Sequence, residues 1–379
     1  MKSKIIIFDL DGVITSEEIY WDCARLTLLQ IMEDHSFFGL ANIFSQGRPL
    51  TPDFQKWKYD IIAEEDIVEF KNRAVNSNWD ITYICLALSI IYFLKMDSAL
   101  VAQINSLPTS DGNFWQNALG LLKEKLRCSI GSRSAGTFPL QELCRDFFAR
   151  TMDLKGLDLF SYLSVFGVEE TGIKNLQFKK RDYLWNETYK VFQNWYLDSK
   201  NKIPLGPLKP EEPVIDSNRI RLALTELKRN GALLGIATGR PRQEVIPVLE
   251  TWNLANLFEK PRIITVDEVR RVEKSLQITG REVSLSKPHP YTFLKAAFPD
   301  EEEEALITRE ENRVDHRDIL IVGDSSSDMI GAKAAGFLAI GVLTGLGKAI
   351  HLKERRKELL LQTGADIIIN DITELPEII

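Results

Sequence analysis

Short apolar runs recur along this chain. Six of them have the length of β-strands, and most carry no polar face, which is typical of strands buried on both sides of a parallel sheet. From the second run onward they alternate with segments of helical periodicity, and this alternation predicts βαβ units. The predicted strands are Ile5–Phe8, Leu233–Ala237, Arg262–Val266, Ile319–Val322, Leu338–Leu343 and Asp366–Ile369. The helices predicted between them are Arg219–Asn230, Arg242–Trp252, Pro290–Ala297 and Asp328–Ala335.

About two hundred residues, few of them typical of strands, separate the first predicted strand from the second. The segment that returns to the sheet, 203–213, contains four prolines and is predicted to be a stiff linker. A chain of 379 residues also exceeds what one core usually serves. We therefore predict an inserted all-helical domain, 17–205, within an α/β domain made of residues 1–16 and 206–379. The helices predicted in the insert are Glu17–Glu33, Pro52–Asn72, Ile81–Lys95, Phe114–Arg127, Leu140–Thr151 and Lys180–Asp198.

Composition excludes several classes of partner. The net charge of −7 comes without the basic footprint of a nucleic-acid-binding protein. The four cysteines are scattered and only four histidines occur, which argues against a zinc site or a disulfide framework. The N-terminal residues lack the pattern of a signal peptide, and the most apolar stretch, Ile81–Leu94, is too short to span a bilayer. We expect a cytoplasmic monomer with no nucleic-acid or membrane partner.

Two carboxylates follow the first predicted strand. Asp9 and Asp11 occur where Ile5–Phe8 should end, and Gly12 then permits a sharp turn. The carboxyl ends of strands form the ligand crevice of open α/β sheets. Neighbouring acids repel each other unless a cation or a shared proton is present. The pair therefore indicates a metal site, an acid–base pair, or both, although an Asp-x-Asp alone is also typical of a polar turn.

Three later segments add polar residues of complementary chemistry. Thr238 lies in the run ATGRP after the second predicted strand, and Lys287 lies in SKPHP. Asp324 and Asp328 follow the fourth predicted strand in VGDSSSD. Each segment alone is also typical of an ordinary helix start or surface loop. Their occurrence in this order, each after a strand or in a loop leading into a helix, favours a shared site.

These segments resemble the four motifs of the haloacid-dehalogenase-like (HAD) superfamily. FDLDGV, ATGRP, SKPHP and VGDSSSDMIGAKAAG are similar to its phosphatase branch, and the resemblance covers residues 1–16 and 213–348. It implies a Rossmann-like α/β core with the insert as a helical C1 cap over the active site. The branch so indicated includes phosphoglycolate phosphatases and β-phosphoglucomutase-like proteins. The insert, 17–205, is much longer than the usual C1 cap.

The resemblance implies a role for each motif residue. Asp9 would be the nucleophile, forming an aspartyl-phosphate, and would also bind Mg²⁺. The side chain of Asp11 would act as general acid and base, while its backbone carbonyl would bind the metal. Asp324 would complete the protein ligands of Mg²⁺, with Asp328 contributing directly or through another ligand. The transferring phosphoryl group would be held by Thr238, the Gly239 N–H and Lys287.

The function that follows is a Mg²⁺-dependent phosphatase acting on a small phosphorylated metabolite. One alternative is a phosphomutase of the β-phosphoglucomutase type. The fourth motif of that group usually reads Glu-Asp, whereas this chain has Gly323-Asp324, which favours a phosphatase. The presence of Asp11 disfavours dehalogenation, because dehalogenases of the superfamily lack that residue. A second alternative, from a different class, is a non-catalytic binding module on a degenerate hydrolase scaffold.

Overall fold

The chain forms two compact units. The structure is a computed structural model that describes residues 4–40, 42–51, 53–75, 77–108, 114–129, 138–201, 208–281, 283–308, 316–345 and 353–379. One unit comprises Met1–Glu17 with Glu211–Ile379, and the other comprises Glu18–Pro210. These limits differ by one residue and by five residues from the predicted domain limits. The predicted linker, 203–213, lies partly outside the described residues. The role of the inserted unit as a cap stays a prediction.

The described part of the inserted unit is helical. Its helices are α1 (Glu18–Glu33), α2 (Phe54–Trp57), α3 (Glu64–Asn72), α4 (Asn78–Lys95), α5 (Ser98–Asn105), α6 (Phe114–Ser129), α7 (Leu140–Arg150), α8 (Leu157–Thr171) and α9 (Tyr183–Asn201). The prediction of one helix over Pro52–Asn72 was wrong, since a 3₁₀ turn, Lys58–Asp60, separates α2 from α3. Three acids begin α3 and suit the positive end of its dipole. Helices α5 and α8 were not predicted from the sequence.

The apolar helix α4 forms the centre of this unit. Almost all of its side chains are buried, and its two central hydroxyls, Thr82 and Ser89, donate to the carbonyls of Asn78 and Cys85 at 2.8 Å. Those bonds satisfy the hydroxyls within an apolar core. Across the described residues, no single helix has the length and apolar composition needed to cross a membrane. The pair α4 and α5 has them jointly, but the two helices meet with a bend of 109°.

The α/β unit contains a six-stranded parallel sheet, which confirms the predicted architecture. The strand order is β3-β2-β1-β4-β5-β6, so the first strand of the chain lies in the middle. The strands are β1 (Ile5–Phe8), β2 (Leu233–Ala237), β3 (Ile263–Ile264), β4 (His316–Gly323), β5 (Phe337–Val342) and β6 (Ile367–Ile369). All six predicted strands are present, and the main differences are a shorter β3 and a longer β4. From β1 the chain adds β2 and β3 on one side of the sheet and then β4 to β6 on the other. The strand order therefore switches between β1 and its parallel neighbour β4, and α/β sheets bind ligands at such switch points.

Helices cover both faces of this sheet. They are α10 (Ser217–Arg229), α11 (Arg242–Thr251), α12 (Val266–Ile278), α13 (Tyr291–Ala297), α14 (Glu303–Ile307), α15 (Ser326–Ala334), α16 (Lys353–Gln362) and α17 (Leu375–Ile378). Because successive strand residues point to opposite faces, Ile6 and Phe8 join the core on one side of the sheet and Ile7 joins the core on the other. This two-sided burial explains why β1 has no polar face.

A buried acid in the inserted unit gives the first prediction. Asp66 lies in the first turn of α3, and no described residue donates a hydrogen bond to its Oδ2. Burial raises its pKa well above the usual range, to about 7. The folded state therefore binds this proton more tightly than the unfolded state, and the free energy of unfolding falls as pH rises towards 7. Asp66→Asn should stabilise the protein at pH 8 by on the order of 2–4 kcal/mol, and much less at pH 5.

Urea denaturation of the wild type and the variant at both pH values measures this difference. Asp158→Asn is the matched control, because Asp158 also lies in the first turn of a helix, α8, but is exposed. That control should leave the pH dependence of stability unchanged. Equal stabilisation by Asp66→Asn at pH 5 and pH 8 would show that the carboxyl of Asp66 titrates normally.

Candidate active site

The predicted site residues lie at the carboxyl edge of the sheet. Asp9 directly follows β1, and its N–H donates to the carbonyl of Val322 in β4 at 2.8 Å. Asp324 directly follows β4, and Thr238 directly follows β2. Parallel pairing of β1 with both neighbours brings these strand ends to the same edge. Residues more than three hundred positions apart in the chain therefore share one crevice.

Three carboxylates form a buried cluster at this edge. Asp9, Asp324 and Asp328 each offer an oxygen atom, and these atoms all lie within 4.8 Å of one another. All three residues are almost fully buried. Asp328 is fixed at the start of α15, where its Oδ2 accepts from the Ser325 hydroxyl at 2.5 Å and from the Ser325 N–H at 3.2 Å. The side chain of Ser325 in turn caps the helix, so the turn after β4 holds both acids in place.

Lys287 neutralises part of this charge. Its Nζ lies 2.8 Å from Oδ1 of Asp9 and 2.8 Å from Oδ1 of Asp328. Burial opposes the positive charge on the ammonium, but Asp328 and Asp9 more than offset it and raise the pKa of Lys287. The lysine is therefore charged at neutral pH and joins the β1 end to the start of α15.

The cluster fits a divalent cation. Burial raises the pKa of Asp9; Lys287 opposes the shift, and Asp328 and Asp11 add to it. Arg356 also lies against the cluster, and its Nη1 donates to the Asp324 carbonyl at 2.6 Å. The buried carboxylate oxygens of Asp9, Asp324 and Asp328 are the kind of ligand that Mg²⁺ prefers, and a bound cation would offset their mutual repulsion. Both oxygens of Asp328 already accept hydrogen bonds, Oδ1 from Lys287 and Oδ2 from Ser325.

Two glycines make room for the carboxylate of Asp324. A Cβ atom placed on Gly12 would lie 2.2 Å from Asp324 Oδ2, and one placed on Gly345 would lie 1.8 Å from the same oxygen. Gly12 also has a φ of +74°, which residues with a side chain rarely adopt. Its carbonyl accepts a hydrogen bond from the Thr344 hydroxyl at 2.5 Å. The two backbone segments that pack against the Asp324 carboxylate therefore require glycine, at positions 12 and 345.

Asp11 lies beside the cluster but makes different contacts. It is close enough to raise the pKa of Asp9. Its own Oδ1 accepts from Nε of Arg240 at 2.8 Å, from Nη2 of the same arginine, and from the Thr15 hydroxyl at 3.1 Å. The carboxylate of Asp11 is thus held by an arginine, whereas Asp9, two residues earlier, is held by Lys287. The acid–base role of Asp11 stays a prediction.

Thr238 and Gly239 lie at the end of β2, which pairs with β1. The Thr238 hydroxyl accepts a hydrogen bond from the Arg240 N–H at 3.2 Å, and the backbone N–H of Thr238 donates to the Ile264 carbonyl at 3.0 Å. A Cβ atom on Gly239 would meet nothing within 4 Å, so the backbone there is open to a ligand. Phosphate binding by this turn remains a prediction.

Three charged residues near these acids were not predicted to have a role. Arg240 pairs with Asp11 and with Glu211, and Arg356 contacts Asp324. Arg240 lies in the segment ATGRP, directly after Thr238 and Gly239, which were predicted to bind the phosphoryl group. Glu211 lies in the proline-rich stretch that was interpreted only as a linker, and Arg356 lies on a helix that carries no motif.

The α/β unit matches a known family. A family profile described as haloacid dehalogenase-like hydrolase covers residues 209–342, which include β2 to β5 and three of the predicted site segments. The α/β unit is similar to this hydrolase family over those residues. The match begins at the return from the insert and includes only the last two residues of the helical unit, Glu18–Pro210.

Curated relatives and one solved structure are similar to this chain. Phosphoglycolate phosphatase of Escherichia coli (strain K12) is 30% identical over 147 residues, which cover 38% of this chain and 46% of the relative. The enzyme of the same name from Haemophilus influenzae (strain 86-028NP) is 25% identical over 153 residues, 39% of this chain and 54% of the relative. The chain thus spans about half the length of these relatives. An X-ray structure from the Northeast Structural Genomics Consortium is 26% identical, with a TM-score of 0.64 over 99% of this chain and 98% of that one.

The glycine at position 12 provides a test of the metal site. In Gly12→Ala the new Cβ would displace the carboxylate of Asp324, so we expect Mg²⁺ to bind about 10- to 100-fold more weakly. The positive φ should also cost about 1–2 kcal/mol of stability. Calorimetric titration with Mg²⁺ and urea denaturation measure the two effects separately.

The matched control for this variant is Gly231→Ala. Gly231 also has a positive φ, +86°, but a Cβ there would meet nothing within 4 Å. The control should lose similar stability while keeping the Mg²⁺ affinity of the wild type. Equal Mg²⁺ affinity in the two variants would mean that Asp324 does not hold the ion.

Proposed function

We propose that this protein is a Mg²⁺-dependent phosphatase that hydrolyses a small phosphorylated metabolite through an aspartyl-phosphate on Asp9. The observation that carries the proposal is the contact of Asp9 Oδ1 with Lys287 Nζ at 2.8 Å, inside the buried cluster with Asp324 and Asp328. A carboxylate placed between an ammonium and further carboxylates suits attack on an anionic substrate. The match to a hydrolase family profile and the similarity to phosphoglycolate phosphatases support the same reaction class.

Lys287 serves to bind the transferring phosphoryl group. An ammonium has three N–H donors, and two of them are directed to Asp9 and Asp328. The third remains for a phosphoryl oxygen next to the nucleophile. Thr238 and the Gly239 N–H would hold further oxygens. Such positioning and charge compensation account for most of the catalysis of phosphoryl transfer.

Asp9 then attacks phosphorus. A bond forms between a carboxylate oxygen and phosphorus, while the bond from phosphorus to the ester oxygen breaks. Asp11 gives its proton to the departing alkoxide, and in the second step it takes a proton from the water that attacks the acyl phosphate. The products are an alcohol, inorganic phosphate and the free carboxylate of Asp9. When bound at Asp9, Asp324 and the Asp11 carbonyl, Mg²⁺ supplies the positive charge that offsets repulsion between substrate and carboxylates.

The turn after β4 favours a phosphatase over a phosphomutase. The β-phosphoglucomutase-like pattern has a glutamate before the metal-binding aspartate, where this chain has Gly323. A Cβ atom on Gly323 would lie 2.4 Å from Cβ of Asp328, so this turn has no room for a glutamate side chain. The arrangement of Asp328 with Ser325 and Lys287 depends on that space.

The inserted unit is proposed to act as a cap that selects the substrate. Its place in the chain supports this role, because the insert begins a few residues after Asp9 and returns at Glu211. The family profile does not extend through the insert, so the substrate is proposed only as a small phosphate ester. We propose that the protein works as a monomer in the cytoplasm.

Removal of the metal should abolish turnover reversibly. With p-nitrophenyl phosphate as substrate, a chelator should reduce the rate to that of Asp9→Asn, and excess Mg²⁺ should restore it. The reason is that the buried carboxylates would otherwise repel the substrate anion. A rate unchanged in metal-free buffer would exclude the metal-assisted reaction, and a rate unchanged in Asp9→Asn would exclude Asp9 as the nucleophile.

The acid–base role of Asp11 predicts a dependence on the leaving group. Asp11→Asn keeps the size of the side chain and the backbone carbonyl but cannot exchange a proton at neutral pH. It should lose about 10²–10⁴-fold in kcat with alkyl phosphates. The first step should be affected less with p-nitrophenyl phosphate, whose leaving group needs little protonation, and phosphorylated Asp9 should then accumulate. Rapid quenching followed by mass spectrometry detects that intermediate. Wild-type turnover of alkyl phosphates would rule out this role.

A further inference from the structure

Arg240 is a buried arginine that contacts two acids at once. Its side chain is only 2% exposed, while those of its partners Asp11 and Glu211 are 18% and 9% exposed. Nε and Nη2 donate to Oδ1 of Asp11, and Nη1 donates to Oε1 of Glu211. The planar guanidinium therefore bridges the two carboxylates with donors in a fixed arrangement. Burial of a charged guanidinium is unfavourable unless its acidic partners are present, because removing either acid leaves part of the buried charge uncompensated.

The backbone of Arg240 is also fixed. Its N–H donates to the Thr238 hydroxyl at 3.2 Å, and its carbonyl accepts from the N–H of Val266 at 3.1 Å. The residue thus belongs to the turn between β2 and α11, which the sheet holds in place. The guanidinium extends from this anchored turn to the loop after β1.

The hydrogen bonds to the Asp11 carboxylate reach only one of its two oxygens among the described residues. Arg240 and Thr15 both donate to Oδ1, and Nη2 of the arginine also donates to the Thr15 hydroxyl at 2.8 Å. Over the residues that the structure describes, no hydrogen bond reaches the other oxygen, Oδ2. One oxygen is thus held by two side chains, and the second is available for a reacting proton.

The second partner of Arg240 lies where the chain returns from the insert. Glu211 is the first residue of the α/β unit after the helical unit. The outgoing and returning segments run side by side there, since Ser16 N–H donates to the Glu212 carbonyl at 2.8 Å and Val214 N–H donates to the Ile14 carbonyl at 3.1 Å. Thr15, which contacts Asp11, forms a β-bridge with Pro213 in the same pairing. Arg240 therefore joins the Asp11 loop to the returning segment.

We propose that Arg240 is a positioning residue for Asp11: it holds Oδ1, with Thr15, so that Oδ2 is presented for proton transfer to the leaving group and from water. This role rests on the proposed phosphatase function. An arginine suits it better than a lysine, because three donors of one planar group fix the rotation of the carboxylate and anchor it to Glu211.

The test compares Arg240→Gln and Arg240→Lys with Arg242→Gln. Arg242 is the matched control, since it is an arginine two residues away that pairs with Glu268 and is 40% exposed. With an alkyl phosphate, Arg240→Gln should lower kcat by about 10- to 100-fold, the loss expected when a catalytic group is misplaced. KM and Mg²⁺ affinity should stay near the wild-type values. Arg240→Lys should lose less, and Arg242→Gln should behave like the wild type.

Two further readouts separate positioning from a general structural role. Phosphorylation of Asp9 by p-nitrophenyl phosphate should be nearly unaffected by Arg240→Gln, because that leaving group needs little protonation. In the Asp11→Asn background, Arg240→Gln should cause no further loss of kcat, since the proton-transferring group is already absent. Losses that multiply in the double variant would overturn the proposal, as would wild-type kcat in Arg240→Gln. If Arg240→Gln does not fold, Arg240→Lys is used for the same comparison.

Crystal structures of the wild type and of Arg240→Lys test the geometry without turnover. The carboxylate of Asp11 should occupy one orientation in the wild type and should rotate or become disordered in the variant. An unchanged Asp11 in the variant would contradict positioning by Arg240. A wild type that does not hydrolyse phosphate esters, combined with a displaced Asp11 in the variant, would refute the phosphatase function while leaving the positioning role in place.

Discussion

The structure of the α/β unit depends on the burial of three carboxylates beside one ammonium. Asp9, Asp324 and Asp328 come from the ends of two neighbouring strands, and Lys287 bridges two of them. Buried acids at this separation are unfavourable unless cations or hydrogen bonds offset their charge. Much of the local geometry follows from this constraint. The Ser325 cap fixes Asp328, and Gly12 leaves space around Asp324.

Burial also explains which features could be predicted from the sequence. Strands buried on both faces have to be apolar throughout, so the six runs were recognisable, and acids that directly follow such runs point to a crevice. Asp9, Asp324, Asp328 and Lys287 were therefore found as a group, and the structure brings their side chains together. Gly12 was recognised as a turn residue, but not as a position that has to leave room for Asp324.

Other features depend on contacts that leave no local pattern. Arg240 and Asp11 are 229 positions apart, and an isolated arginine after a glycine does not reveal which acid it will meet. In the insert, one predicted helix proved to be α2 and α3, because a break of a few residues barely changes helical periodicity. Tertiary packing decides where such helices end. Asp22, which accepts hydrogen bonds from Arg25, Gln55 and Lys58, likewise ties α1 to the segment around α2 through contacts that spacing does not predict.

The central position of β1 has a consequence for how the protein is made. Its two sheet neighbours begin at Leu233 and His316, long after β1 itself has been synthesised. At ~5–20 residues per second, β1 waits roughly 10–45 s for the first of them. Among the described residues, the apolar core of the insert runs from Ile19 to Leu208, and these residues are synthesised before β2 appears. Vectorial synthesis thus favours the helical unit folding first, with four apolar residues of β1 left unpaired. Two aspartates directly after that strand keep its end charged, and charge at an open strand disfavours pairing with other chains. The acids of the active site would then also protect the nascent chain from aggregation.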